Sequence, residues 1–342
     1  MARVRSKRVT ISDVAQAAGV ARATAAFALS GTADRVGLSK KTVEKIATIA
    51  KAMSYVPNKV ARSLIASRSE VIGVLLAGLW GKYAQKIVEG VRDVLEPKGY
   101  VPMVTIHSWS EAREIREVDL HLQMRVDAII VQPQPSSRAE IYQTVTANNV
   151  PLVFLGDVPG DMPHASAVVW DGFAGAHRAL EHLLAKGRKR IGFIGQRYPF
   201  HYNQSRFSGY RKFLKEMGLS HDPGWEIWEE MEGGLPVAIA EVFSSRKERP
   251  DAFLAMNDTC ALHAAEWLLA NGIRVPQDVA IVGLGDCTET VEFNAFITSV
   301  REPLYEMGRE AAKLALDLID HAPRKAVRQI VPGEEIVQRR ST

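Results

Sequence analysis

Residues 9–31, VTISDVAQAAGVARATAAFALSG, decide how this chain folds at its amino-terminal end. Thr10-Ile11-Ser12-Asp13 fits a capping box: a hydroxyl at the cap and an acid three residues on, each satisfying an amide that the first helical turn leaves open. Ile11, Val14, Ala15 and Ala18 follow at helical spacing. Gly19 breaks the helix, Val20 restarts the apolar pattern, and Thr24, Ala25, Ala28 and Leu29 carry it through a second short helix. Two short helices joined at a glycine turn make a helix-turn-helix, whose second helix fits the DNA major groove. A third helix starts at Ser39 and runs through SKKTVEKIATIAKAMSY, with Val43, Ile46, Ile49, Ala50 and Met53 inward. Tyr55-Val56-Pro57-Asn58 ends it, because proline disfavours helix in the residue before it.

Charge agrees with this reading. Residues 1–69 hold thirteen Lys/Arg against three acids (Asp13, Asp34, Glu44), a net of +10 in a chain whose total is +4, so residues 70–342 carry −6. A basic head on a mildly acidic body is the footprint of a protein that grips a polyanion at one end.

With 342 residues, two or three domains are expected. The start, MARVRSKRVTIS, lacks the apolar run of a signal peptide, and no window reaches the length of a membrane span. Cys260 and Cys287 make neither a disulfide framework nor a metal spacing. These features predict a cytoplasmic protein with no membrane partner.

The segment quoted above, followed by YVPNKVARSLIASRSEVIGVLL at 55–76, resembles the head and hinge of the lactose-repressor (LacI/GalR) family of transcription factors. The resemblance implies that a recognition helix at about 21–29 reads base edges with Arg22 and Ala23. Arginine can pair with guanine, and alanine offers only apolar contact. Thr10, Thr24, Ser30 and Asn58 would hold phosphates and set register. Residues 58–69 would form a hinge and linker, with Leu64 at the place of a leucine wedged into the minor groove. Some letters depart from the family. Ala21 replaces a usual serine, removing a helix cap typically worth about 1 kcal/mol. Ala25-Ala26 replace a usual Val-Ser, and Phe27 stands where many members carry arginine. Phe27 either packs into the head or touches a thymine methyl.

Beyond residue 69, short apolar runs at 71–77, 101–106, 127–132, 151–155, 190–195, 251–256, 279–283 and 297–301 read as buried parallel strands. Helical patterns lie between them, at 83–98, 111–125, 137–148, 172–186, 205–217, 235–246, 259–271 and 304–320. Such alternation predicts doubly wound α/β sheets, too many strands for one, hence two lobes with a ligand cleft at their carboxyl ends. The fold class is therefore an all-α helix-turn-helix head plus an α/β body.

RPDAFLAMNDTCALHAAEWLLANGIRVPQDVAIVGLGD (249–286), SRFSGYRKFL (205–214) and FITSVREPLYEMGREAAKLAL (296–316) are similar to signatures of the same family, whose body resembles periplasmic sugar-binding proteins. The resemblance implies a DNA-binding domain at 1–57 and an effector and dimerisation domain at 70–342. Three lobe crossings would leave one lobe at 70–163 plus 296–326 and the other at 164–295 plus 327–342. It further implies effector contacts from Tyr83 and Arg206, and a homodimer formed through the first lobe, helix 83–98 included. Asn257 and Asp286, which follow predicted strands at their carboxyl ends, and Trp228, a stacking face, are the other effector-binding candidates. A chain ending at Arg339-Arg340-Ser341-Thr342 shows no leucine-rich tetramer tail, so a dimer is expected. Gly285 stands where many sugar-binding members have an acid. With that acid gone, Arg206 needs another counter-charge, which predicts an anionic effector such as a sugar acid, as in a gluconate-repressor-like branch.

Two other classes fit less well. A periplasmic sugar-binding protein has no use for a +10 head. An enzyme needs a catalytic constellation, and none is found. Gly283-Leu-Gly285 and Gly192-Phe-Ile-Gly195 fall short of a dinucleotide fingerprint, the histidines lack metal spacing, and no serine sits in a Gly-x-Ser-x-Gly elbow. No cofactor and no metal are therefore expected. The partners predicted are a pseudo-palindromic double-stranded DNA operator, a small effector of the sugar or sugar-acid type and a second copy of the chain.

Overall fold

The computed structural model describes residues 9–30, 33–57, 68–78, 81–134, 136–162, 164–196, 201–229, 235–245, 248–286, 296–321, 325–333 and 335–342. The chain divides into two compact units, residues 1–69 and 70–342.

The first unit holds three helices, α1 (Ile11–Ala18), α2 (Arg22–Leu29) and α3 (Lys40–Ala52). The capping box closes α1 reciprocally: the Asp13 amide donates to Thr10 Oγ1 (3.3 Å) and the Thr10 amide to Asp13 Oδ2 (2.7 Å). Gly19 ends the helix at φ 67°, a left-handed conformation open to glycine because it has no Cβ. Helix α2 starts at Ala21 with no side-chain cap, and Ser39 caps α3 by accepting from the Thr42 amide. Val14, Ala15, Ala18, Ala25, Ala28, Ile46 and Ala50 form the core, and Lys45 Nζ donates to the Ala18 carbonyl at 2.8 Å, tying α3 to the last turn of α1. The expected hinge, with Asn58 and Leu64, falls on residues 58–67, outside the described residues.

The second unit is built on two six-stranded sheets. The first contains β1 (Val71–Leu76), β2 (Val101–Ile106), β3 (Ala128–Val131), β4 (Leu152–Leu155), β5 (Ala167–Trp170) and β11 (Arg328–Val331), in the order β2-β1-β3-β4-β5-β11 and parallel throughout. The second contains β6 (Ile191–Gln196), β7 (Glu226–Glu229), β8 (Ala252–Ala255), β9 (Ala280–Gly285), β10 (Thr298–Arg301) and β12 (Ile336–Val337). Its order is β7-β6-β8-β9-β10-β12, and only the short β12 runs antiparallel. Each lobe therefore repeats one winding: second strand, first, third, fourth, fifth, then a strand from the end of the chain. The central strands are apolar on both faces because helices cover both.

The connecting helices are α4 (Gly81–Leu95), α5 (Glu111–Gln123), α6 (Ala139–Ala147), α7 (Gly172–Ala185), α8 (His201–Glu216), α9 (Leu235–Ser245), α10 (Asp258–Ala270) and α11 (Leu304–Asp320). Helices α4 and α11 pack backbone against backbone. A Cβ on Gly90 would run into the Tyr305 carbonyl, and one on Gly308 into that of Ile87. No helix among the described residues is long and apolar enough to cross a membrane.

The topology corrects the expected lobe boundaries. Residues 167–170 lie in the first sheet, not the second lobe; residues 298–301 lie in the second sheet, not the first lobe. Residues 328–331 pair with β5 in the first sheet. Helix α7 packs on α8, β8, β9 and β10, whereas α11 packs on α4, β3, β4 and β5. The three crossings thus fall at about 171, 302–303 and 332–335, each a few residues later than expected. The reason is pairing: each sheet takes up its fifth strand before the chain leaves it. Strands β5, β7, β11 and β12 went unread in the sequence; β7, β11 and β12 are sheet edges and lack the continuous buried apolar run that marks β3, β4 and β8.

Lobe one buries His121 completely, with Nε2 3.1 Å from Thr105 Oγ1 and the ring filling the space that the absent side chain of Gly73 leaves. Burial pushes its pKa down to about 4. The unfolded chain takes up this proton near pH 6.5, while the native state refuses it until about 4, so the His121 contribution to stability is lost as pH falls between those values. We expect the wild type to lose about 2 to 3 kcal/mol more than H121Q between pH 7 and 4.5, read from urea midpoints. Equal losses would exclude a buried neutral imidazole.

Candidate functional site

In the head, α2 sorts its residues by face. Ala25 and Ala28 are buried against α1 and α3, while Arg22, Ala23 and Phe27 are exposed and Thr24 is half-buried. Phe27 is 40% exposed, which answers the open question about it: the ring stands on the outer face of α2 and is not core. Helix spacing brings Arg22, Ala23 and Phe27 onto one surface, since residues four apart lie one above the other. The Thr10 hydroxyl is held by Asp13 Oδ2 at 2.7 Å, and the Ser30 hydroxyl donates to the Phe27 carbonyl at 3.2 Å.

In the body, the switch points of the two sheets, where strand order reverses, lie between β1 and β3 and between β6 and β8. Open α/β sheets bind ligands outside the strand ends at such points. In lobe one, Gln132 at the end of β3 donates through Nε2 to the Tyr83 hydroxyl (3.0 Å), and its Oε1 accepts from the Ala77 amide beyond β1 (3.2 Å). Tyr83 is half-buried there. In lobe two, Gln196 ends β6 and Asn257 follows β8, with Asn257 Nδ2 3.5 Å from Gln196 Oε1. The other end of the Asn257 amide caps α10, accepting from the Cys260 amide at 2.8 Å. Trp228, at the end of β7, packs edge-on to Phe207 (4.9 Å) and against Phe193 (5.5 Å), and covers Gly195. It is half-buried, anchored in the aromatic cluster of lobe two.

Arg206 projects from α8 and is 5% exposed. Its Nη1 donates to the Met256 carbonyl (2.6 Å), its Nη2 donates to Glu302 Oε2 (3.2 Å), and the guanidinium lies 5.0 Å from the centre of the Trp170 ring. Gly172 leaves room for its stem. Glu302 follows β10 at the second crossing, and burial raises its pKa above the ordinary value, a rise that Arg206 opposes but does not cancel. This corrects one expectation: Arg206 does not lack a counter-charge for want of an acid at position 285, because Glu302 supplies it. Asp258 adds a second buried acid nearby, holding the Ser299 hydroxyl at 2.5 Å.

Asp286 also sits differently from expectation. Its carboxylate is spanned by Arg301 (Nε, 2.9 Å) and Arg339 (Nη2, 2.5 Å), and Arg301 reaches on to Glu335 at 2.6 Å. Trp170 Nε1 donates to the Gly333 carbonyl at 2.7 Å. All three crossings are thereby stapled at one place: the first by Trp170, the second by Arg301 and Glu302, the third by Gly333, Glu335 and Arg339. Of the predicted effector residues, the structure groups Arg206, Asn257 and Trp228 on lobe two and Tyr83 on lobe one, and it puts Asp286 in the staple. Trp170, Asp258, Ser299, Glu302 and Gln132 were missed. The signal for Glu302 was an acid beside the proline of FITSVREPLY, but only the fold brings it to Arg206. Among the described residues, no group of three or more His, Cys, Asp or Glu side chains could hold a metal ion.

A helix-turn-helix head followed by a two-lobed α/β body is the architecture of a class of DNA-binding regulators that pair a DNA-reading unit with a body like that of periplasmic binding proteins. Residues 10–58 match the model of bacterial regulatory proteins of the lacI family, and residues 180–342 match a periplasmic binding protein-like domain. The chain is 26% identical over 314 residues to the HTH-type transcriptional repressor PurR of Haemophilus influenzae (91% of each chain). It is 25% identical over 332 residues to that of Vibrio cholerae (96% of this chain, 97% of the relative). Among solved structures, it resembles the lac repressor dimer bound to operator and the anti-inducer ONPF (TM-score 0.80, 25% identity, 98% of this chain and 99% of that one). It also resembles a complex of the transcriptional regulator CelR with cellobiose (TM-score 0.70, 26% identity, 98% and 100%). The chain is thus similar along nearly its whole length to DNA-binding transcriptional regulators, and its head matches the lacI family of bacterial regulatory proteins.

The staple makes a stability prediction. D286N removes the charge that two guanidinium groups share, leaving Arg339, whose side chain is only 11% exposed, without its acid. We expect a loss of about 2 to 3 kcal/mol in urea unfolding. A loss under about 0.5 kcal/mol, the size of an ordinary surface change, would show that Asp286 is not structural.

Proposed function

We propose that this chain is an operator-binding repressor, acting as a homodimer in the cytoplasm, whose DNA affinity is set by a small polar effector held between the two lobes. The observation that carries the reading is the sorting of α2, which buries alanines and turns Arg22, Ala23 and Phe27 outward on a head of net charge +10. Arg22 would take guanine O6 and N7; Ala23 and Phe27 would meet thymine methyls. Thr10, Thr24, Ser30 and Asn58 would hold phosphates, through backbone amides where the hydroxyl is already engaged. Leu64, in a hinge of residues 58–69, would wedge into the minor groove.

The effector would lie against Tyr83 and Gln132 of one lobe and Arg206, Trp228 and Asn257 of the other. Asp286 would act mechanically, transmitting lobe closure through the staple. The relatives support the pairing of functions: the lac repressor structure holds operator and a small ligand, and the CelR structure holds cellobiose. Such coupling is typically worth about 1 to 3 kcal/mol.

Selection of bound duplexes from a random pool, with and without sugars, tests the reading. It should return a pseudo-palindrome and show whether ligand releases or tightens it. Enrichment of no sequence over bulk DNA would refute it. On the selected operator, R22A should lose about 10- to 100-fold in affinity and relax the base preference at its contact, without changing the response to ligand. Affinity of the wild type should fall steeply as salt rises.

A further inference from the structure

Around the lobe crossings, Asp286 and Glu335 are held by Arg301 and Arg339. Arg206 is held by Glu302, with the buried acid Asp258 close by. There the guanidinium is covered: a carbonyl on Nη1, a carboxylate on Nη2 and an indole face beneath. Its side chain is 6% exposed and that of Glu302 10%.

We infer that Glu302 is a specificity-determining residue of the cleft: it neutralises Arg206 from within the protein and so turns away anionic effectors, leaving the site to neutral polar molecules such as sugars. The inference rests on the reading that the cleft binds an effector at all. Its physical basis is simple. A buried cation demands one counter-charge, and either the protein or the ligand supplies it. When the protein has done so, an incoming carboxylate or phosphate meets a carboxylate instead, in a setting where water screens little. Asp258 adds a second buried acid beside Glu302, so an incoming anion would meet two acids; burial and Asp258 raise the Glu302 pKa, and the ion pair with Arg206 opposes that rise without cancelling it. A neutral polyol escapes this penalty, because hydroxyl groups can donate to the carboxylates and accept from the amides of Gln132 and Asn257.

The test uses the full chain and three probes: D-glucose, D-gluconate and inorganic phosphate. Calorimetric titration and the ligand-dependent rise in melting temperature are the readouts. The wild type should show no saturable binding of gluconate or phosphate. E302Q strips the counter-charge but keeps the shape, so it should gain saturable gluconate binding where the wild type shows none. R206Q added to E302Q should abolish the gain. Wild-type binding of gluconate as tight as, or tighter than, glucose would overturn the inference. So would an E302Q protein that folds, by circular dichroism, yet gains no affinity for either anion. If E302Q does not fold, Glu302→Ala takes its place; if that also fails, the wild-type comparison decides.

Operator affinity measured on the same samples separates the two readings. Anion binding gained by E302Q with no ligand affecting operator affinity would uphold charge selection and reject effector control. A wild-type operator response to gluconate would do the reverse.

Discussion

One buried guanidinium ties together the connections between the two lobes. Arg206 reaches from lobe two to Glu302 on the second crossing and lies over Trp170, which ends the last strand of lobe one before the first crossing. Trp170 in turn is bonded to Gly333 on the third. The three connections between the two sheets are thus joined at one place, and a change at any of them is felt by the other two.

The second constraint is the repeated winding. Both sheets place their switch point over the same kind of side chain: an amide at the end of a central strand, Gln132 in one lobe and Gln196 with Asn257 in the other. Amides there suit a ligand rich in hydroxyls, because they both donate and accept. Beside them Arg206 is paired with Glu302, and Asp286 with Arg301 and Arg339.

Much of this was legible in the sequence. The capping box at Thr10 and Asp13, the Gly19 turn, the uncapped start at Ala21 and the Ser39 cap are local patterns, and local patterns survive folding because the atoms that satisfy them lie within one turn of each other. The long apolar runs of β1, β6 and β9 were legible for the same reason. Strands β5, β7, β11 and β12 were not, and three of these, β7, β11 and β12, are sheet edges without a continuous buried apolar run. The first crossing was misplaced because β5 went unseen; at the second, β10 was read as a strand, but only its pairing with β9 assigns it to lobe two.

The residues of the cleft divide along the same line. Sequence alone determined that Arg206 would lie after a strand of lobe two and that Asn257 would stand at a strand end, since both follow from position along the chain. It could not determine that Glu302, 96 residues away, completes Arg206, nor that Asp286 is spent on Arg301 and Arg339. Ion pairs are decided by distance in space, and chain separation carries no information about it. The character of the head was therefore settled by the sequence, through short-range geometry and net charge, while the partner of Arg206 was settled only by tertiary structure, which alone chooses the acid that a buried arginine meets.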